Sequence, residues 1–154
     1  EDRSGAALHD AVVKELKAEV VRYAVVADDW QAIHSILITW TDEEGLDLIL
    51  TTGGTGFAPR DITPEVTRSL IEREAPGLVF AMVQSGLRVT PYAMLTRAVA
   101  GIRRQTLIIN LPGSPKAALE NFTAIAPTLP HAIALLRGAP MTEEDHVARS
   151  PVAR

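Results

Sequence analysis

The run Leu46-Asp47-Leu48-Ile49-Leu50-Thr51-Thr52-Gly53-Gly54-Thr55-Gly56-Phe57-Ala58-Pro59-Arg60-Asp61-Ile62-Thr63-Pro64-Glu65 carries a strand, a glycine loop and a helix start in direct succession. Leu46 to Thr52 is a short apolar strand that meets Gly53 and Gly54 abruptly. The polar loop continues to Thr63, which can cap a helix, with Pro64 suited to its first turn and Glu65 to its positive end. Helical spacing continues to about Arg88, with Pro76-Gly77 marking a break that predicts two helices rather than one.

Upstream, Leu8, Val12 and Leu16 recur at every fourth residue behind Ser4 and Gly5, which predicts an amphipathic helix. Glu19 to Val26 is rich in β-branched residues and predicts a buried strand that delivers Asp28 at its C-terminal end. Trp30, Ile33, Leu37 and Trp40 predict a second helix before the loop Asp42 to Gly45. Downstream, Thr106 to Leu111 is a continuous apolar strand, followed by Pro112-Gly113-Ser114-Pro115, where Ser114 can cap and Pro115 can open a helix. Ala117 to Leu136 supplies that helix, with kinks at Pro127 and Pro130. From 139 the chain carries prolines and scattered charge without a period, and is expected to be a loosely attached tail over 139–154. Strands alternating with helices predict a single three-layer α/β/α domain over 1–138 with a mostly parallel sheet. Ligands of such sheets bind at the carboxyl ends of strands, where the loops after Val26, Thr52 and Leu111 all fall.

Composition bounds the function. A chain of 154 residues that is 47% hydrophobic can bury one substantial core. A net charge of −4 opposes general attraction to a nucleic-acid backbone. The absence of cysteine excludes disulfides, thiolate metal sites and cysteine nucleophiles. Apolar stretches are interrupted too often for a membrane span, so a cytosolic protein is expected. His9, His34, His131 and His146 lack metal-ligand spacing, and Ser85 lacks the glycines of a nucleophile elbow.

The glycine loop is the strongest chemical signal. Amides freed of side chains, with hydroxyls of Thr52 and Thr55 beside them, can surround an anion, and the next helix adds its positive end. Thr52, Gly53, Gly54, Thr55 and Gly56 are therefore candidate phosphate ligands, although the same residues also suit an ordinary strand-to-helix turn. Gly54-Thr55-Gly56 lacks the later glycine of a dinucleotide fingerprint, and no Gly-Lys-Ser/Thr of a P-loop follows. Arg60 suits a phosphate oxygen and Asp61 a hydrated magnesium ion; an Arg-Asp pair in a loop can equally be solvated. Asp28 could bring a second carboxylate to the crevice or merely cap the helix near Trp30. Asn110, Pro112, Gly113, Ser114 and Lys116 form another tight turn into a helix start, with Lys116 either basic ligand or surface charge.

Taken together, Thr52-Gly53-Gly54-Thr55-Gly56 and Pro59-Arg60-Asp61-Ile62-Thr63-Pro64-Glu65 resemble the molybdopterin adenylyltransferase family, the MogA-type bacterial proteins and the G domains of gephyrin and its plant counterpart. Asp2-Arg3-Ser4-Gly5, Thr90-Pro91, Met94-Leu95-Thr96-Arg97, Gly101-Ile102-Arg103 and Asn110-Leu111-Pro112-Gly113-Ser114-Pro115 extend the resemblance from Asp2 to about Gly138. The resemblance implies a homotrimer that binds ATP, magnesium and molybdopterin and adenylylates the terminal phosphate of molybdopterin with release of pyrophosphate. It implies catalytic and metal-binding roles for Asp28 and Asp61, with the glycine loop and the Pro112-Gly113-Ser114 turn holding the anionic and nucleotide parts. A fused or separate molybdenum-insertion domain is an expected partner; nucleic acid and membrane are not. The family has an N-terminal strand before the segment matching Asp2-Arg3-Ser4-Gly5, and here the expectation is that this strand is missing. The family also shows serine directly before leucine where this chain has Gly86-Leu87. Two other readings are a non-catalytic trimeric scaffold of the same fold and a molybdenum-insertion-type domain, whose glycine loop differs after the second glycine.

Overall fold

Every residue of the run Thr106–Leu111 is buried, as a strand covered on both faces must be. In the computed structural model, which describes residues 2–138, this strand lies inside a four-stranded sheet. The elements are α1 (Arg3–Leu16), α2 (Trp30–Ile38), β1 (Leu48–Thr52), α3 (Thr63–Leu70), β2 (Arg73–Glu74), α4 (Pro76–Leu87), β3 (Ala100–Arg103), β4 (Thr106–Leu111), α5 (Pro115–Ile125) and α6 (Leu129–Leu136). The expected tail over 139–154 lies outside the described residues.

The strand order is β1-β4-β3-β2. β1 and β4 run parallel with Leu48 opposite Leu107 and Thr52 opposite Leu111, so both end level at the same edge. β3 and β2 are antiparallel additions. The α/β class holds, but the described sheet is mixed rather than mostly parallel. β3 was not foreseen. It joins β4 through the two-residue turn Arg104-Gln105, with Arg104 at φ 53°, and that turn lacks the Asn-Gly or Gly-containing pair that would announce a hairpin in sequence.

Side-chain alternation along β4 divides the core. Leu107, Ile109 and Leu111 face a layer built from α1, α4, α5 and α6, where Leu8, Met82, Ala118, Phe122, Ile125 and Leu129 are buried. Ile108 and Ile49 face α2 and α3 through Ile33, Leu37, Val66 and Leu70. This is the three-layer arrangement. Phe122 is fully buried, so its truncation to alanine would cost about 3–5 kcal/mol.

Three local expectations change. Glu19 to Val26 forms no strand. It runs along one side of a cleft of about 1060 Å³ whose other wall includes β1 residues Leu48 to Thr52, and β-branched residues cannot form a strand without a ladder partner. Asp28 accordingly lies in an exposed bend and not at a strand end. The helical stretch from Thr63 is interrupted earlier than Pro76: α3 stops at Leu70, and Glu72 and Ala75 donate backbone hydrogen bonds to Ile102 and Ala100, which inserts β2. The C-terminal helix is divided by a 3₁₀ turn over Ala126–Thr128, at the first of its two prolines.

Candidate functional site

Because β1 and β4 end level, the turns that follow them meet. The Gly53 amide donates to the Leu111 carbonyl at 3.0 Å. A Cβ on Gly113 would stand 3.2 Å from the Gly53 Cα, so only two side-chain-free backbones pass so closely. Gly53 and Gly54 take φ of 83° and 68°. At Gly54 a Cβ would also stand 2.4 Å from Thr63 Oγ1, while the Gly54 carbonyl accepts from the Thr63 amide at 3.2 Å. The loop is thereby bound to the start of α3 at one end and to the β4 turn at the other.

Among the described residues, the amides of Gly54, Thr55, Gly56 and Phe57 donate to no protein acceptor. Uncommitted N–H groups beside two helix starts, α3 and α5, are what an anion requires. Thr52 and Gly56 are half-buried, Thr55 is buried, and Arg60 is exposed. Pro112 is half-buried beside exposed Gly113 and Ser114; Ser114 caps α5 by accepting from the Ala117 amide at 3.5 Å. The Gly113 carbonyl accepts from the buried Ser4 hydroxyl at 2.6 Å, which ties α1 to the same turn. At that helix start Asp2 accepts from the Gly5 amide at 2.9 Å and from the Tyr23 hydroxyl. The Tyr23 hydrogen bond lowers the Asp2 pKa and raises that of Tyr23.

Asp61 adjoins this cradle. One carboxylate oxygen accepts from the Ala58 amide at 3.1 Å, and the same oxygen would stand 3.0 Å from a Cβ on Gly56. Its other oxygen has no protein partner among the described residues. Asp28 instead shares the large cleft with Thr51, Thr52 and Thr63; no hydrogen bond joins the two aspartates. Among the described residues no three acidic or histidine side chains gather around one point. Asp61 thus leaves one carboxylate oxygen open beside the loop amides.

Two candidates hold other places. Asn110 is 0% exposed. It accepts from the Val99 amide and donates to Thr51 Oγ1 and Thr67 Oγ1, each at 3.0 Å, so it braces the sheet beneath the turn and does not face a ligand. Lys116 is a solvated side chain paired with Glu120 at 3.8 Å, one helical turn away. Gly86 also has a packing explanation: a Cβ there would stand 2.8 Å from that of Ala93.

Arg97 carries more than its place in a sequence motif revealed. Its amide donates to the Thr55 carbonyl at 2.8 Å. Nε donates to the Gly56 carbonyl at 2.8 Å, Nη2 to the Asp61 carbonyl at 2.6 Å, and Nη1 to Glu65. Burial would raise the Glu65 carboxyl, but the Arg97 hydrogen bond and charge, a backbone hydrogen bond and the charge of Arg68 together outweigh it and hold its pKa below the usual value. Phe57, 69% exposed on the loop, was likewise not singled out from sequence. The contacts of Arg97 span more than thirty residues and leave no local periodicity, so its clamping role could not be read from spacing.

Comparison with known proteins gives the chain a family. The model of a probable molybdopterin binding domain matches residues 1–131. Gephyrin of Dictyostelium discoideum is 48% identical over 83% of the chain, and the cinnamon molybdenum cofactor synthesis protein of Drosophila melanogaster 45% over 88%; the chain spans only 18% and 22% of their lengths. The molybdopterin adenylyltransferase of Helicobacter pylori strain J99 is 42% identical over 90% of the chain and 79% of its own length. The crystal structure of the molybdopterin biosynthesis enzyme MoaB from Thermus thermophilus superposes with a TM-score of 0.85 at 51% identity, covering 92% of this chain and 89% of that one. With its family model matched over 131 residues and its fold shared with such structures, this chain belongs to the probable molybdopterin binding domain family.

Proposed function

We propose that the domain is a molybdopterin adenylyltransferase of molybdenum cofactor biosynthesis. An oxygen of the terminal phosphate of molybdopterin attacks the α-phosphorus of ATP. The bond from that phosphorus to the bridging oxygen of the β-phosphate breaks, giving adenylylated molybdopterin and pyrophosphate. The observation that carries this reading is the pair of touching glycine turns at the ends of β1 and β4, with four uncommitted loop amides beside them. Bringing phosphate to phosphate opposes like charges, so alignment and neutralisation must supply the catalysis, and no protein nucleophile is needed. Thr52, Gly53, Gly54, Thr55, Gly56 and Arg60 would hold phosphates, and Pro112, Gly113 and Ser114 the nucleotide side. Asp61 would hold magnesium, with Asp28 orienting the nucleophile or metal from the cleft. A bound magnesium ion would neutralise charge that develops on the phosphate oxygens.

The domain acts as a homotrimer in the cytosol on this reading. Among the described residues no helix is long and apolar enough to cross a membrane. Phe80 and Leu87 of α4, with Val89, Tyr92, Met94 and Leu95 after it, leave large apolar side chains exposed, a surface suited to copies of the same chain. That surface equally favours the scaffold reading, in which assembly is the function. Magnesium-dependent formation of adenylylated molybdopterin decides between them. Asp61→Ala is expected to lower turnover about a hundredfold or more with the fold retained. Equal turnover in the variant would remove Asp61 from the site, and no turnover in either protein would favour the scaffold.

A further inference from the structure

We infer that Arg97 is the positioning residue of this site, acting on the substrate phosphates only through the glycine loop and the Asp61 turn. The inference rests on the adenylyltransferase reading and extends it. Arg97 comes from the segment before β3, yet it grips three loop carbonyls: its amide holds Thr55, Nε holds Gly56 at 2.8 Å and Nη2 holds Asp61 at 2.6 Å. In a trans peptide the C=O and the following N–H point in opposite directions, and the described backbone has no cis bond. Fixing the carbonyls of Thr55, Gly56 and Asp61 toward Arg97 therefore turns the amides of Gly56, Phe57 and Ile62 away from it. Gly56 and Phe57 are among the amides with no protein acceptor. Through its backbone amide at Thr55 and its guanidinium at Gly56 and Asp61, one residue thus decides which way these groups face, and the Phe57 amide depends on the guanidinium itself.

The residue type follows from the geometry. Nε, Nη1 and Nη2 each serve a different acceptor, on Gly56, Glu65 and Asp61. A planar fork can do this, whereas a lysine ammonium on its flexible stem can occupy one of those places at a time. Glu65 secures the outer end of the fork from α3 and completes the clamp across the loop.

The test compares wild type, Arg97→Ala, Arg97→Lys and Glu65→Gln as full chains. Amide hydrogen exchange reads the loop over 53–62 against β4, titration calorimetry reads inorganic pyrophosphate with magnesium, and adenylyl transfer reads turnover. For Arg97→Ala the hydrogen-bonded loop amides of Gly53, Ala58 and Asp61 exchange at least tenfold faster while β4 is unchanged, and pyrophosphate affinity falls at least tenfold. Turnover falls about a hundredfold, mostly in kcat, because misplacement by an ångström costs that much. Added guanidinium ion restores part of it, Arg97→Lys restores little, and Glu65→Gln loses less than Arg97→Ala because three loop contacts remain. Unchanged loop exchange in Arg97→Ala, or faster exchange shared equally by β4, overturns the inference. If Arg97→Ala does not fold, Arg97→Lys is judged by the same loop-against-β4 comparison. If wild type shows no adenylyl transfer, the adenylyltransferase reading fails, and loop exchange with pyrophosphate affinity still decides the role of Arg97.

Discussion

Replacing Asn110 by leucine removes three hydrogen bonds from the middle of the sheet while keeping the number and branching of the side-chain heavy atoms. The bonds are those to the Val99 amide, Thr51 Oγ1 and Thr67 Oγ1. At about 1 kcal/mol each they account for roughly 3 kcal/mol. The Thr67 hydroxyl can turn to a carbonyl of its own helix, but the buried Val99 amide has no such alternative, and a stranded donor costs about 1–3 kcal/mol. Leucine returns part of this through apolar contact with Ile108 and Val66 on the same face. The net expectation is a loss of about 3 kcal/mol, equivalent to a fall of about 10 °C in Tm for a domain of this size. Urea unfolding followed by circular dichroism, at equal slopes, measures it, with Thr67→Val as a one-bond control near 1 kcal/mol. Pyrophosphate affinity measured well below the transition stays within threefold of wild type. A loss under about 1 kcal/mol, or affinity abolished in a fully stable variant, would refute the bracing role and return Asn110 to the ligand.

Gly54→Ala should cost about 2–5 kcal/mol, summing left-handed backbone strain with the collision on Thr63; Gly45→Ala, at φ 59° with open space around it, should cost only about 1–2 kcal/mol, and parallel urea melts compare them. The Arg103 hydrogen bond holds the Asp42 carboxyl at about 2, below its ordinary 3.8. The folded state therefore releases that proton more readily than the unfolded one, so this contribution is complete above about pH 4 and lost as pH falls from there to about 2. Thermal melts across that window should steepen for wild type relative to Asp42→Asn; identical pH slopes would discount the pair. Gly86→Ser, which would press on Ala93, should lower Tm by several degrees and is read by calorimetry.

The amino-acid sequence alone determined the parts whose cause is local. The apolar run Thr106–Leu111 reads as a strand covered on both faces, and Ser114-Pro115 marked a helix start because a cap and a fixed φ act within a few residues; Thr63-Pro64 marked another, although Thr63 is the first residue of α3 and not its cap. The glycine loop was equally legible, since a string of residues without side chains after a strand has few other uses. Tertiary structure decided what depends on partners distant in the chain. Glu19 to Val26 has strand-forming residues but no ladder, and β3 exists because β4 offers one to a segment that carries no turn signal. Asn110 passed from ligand to brace once Thr51, Thr67 and Val99 surrounded it. Arg97 became the clamp of the loop only when the fold placed its fork against carbonyls from another segment, because a hydrogen bond between remote residues leaves no periodicity to read.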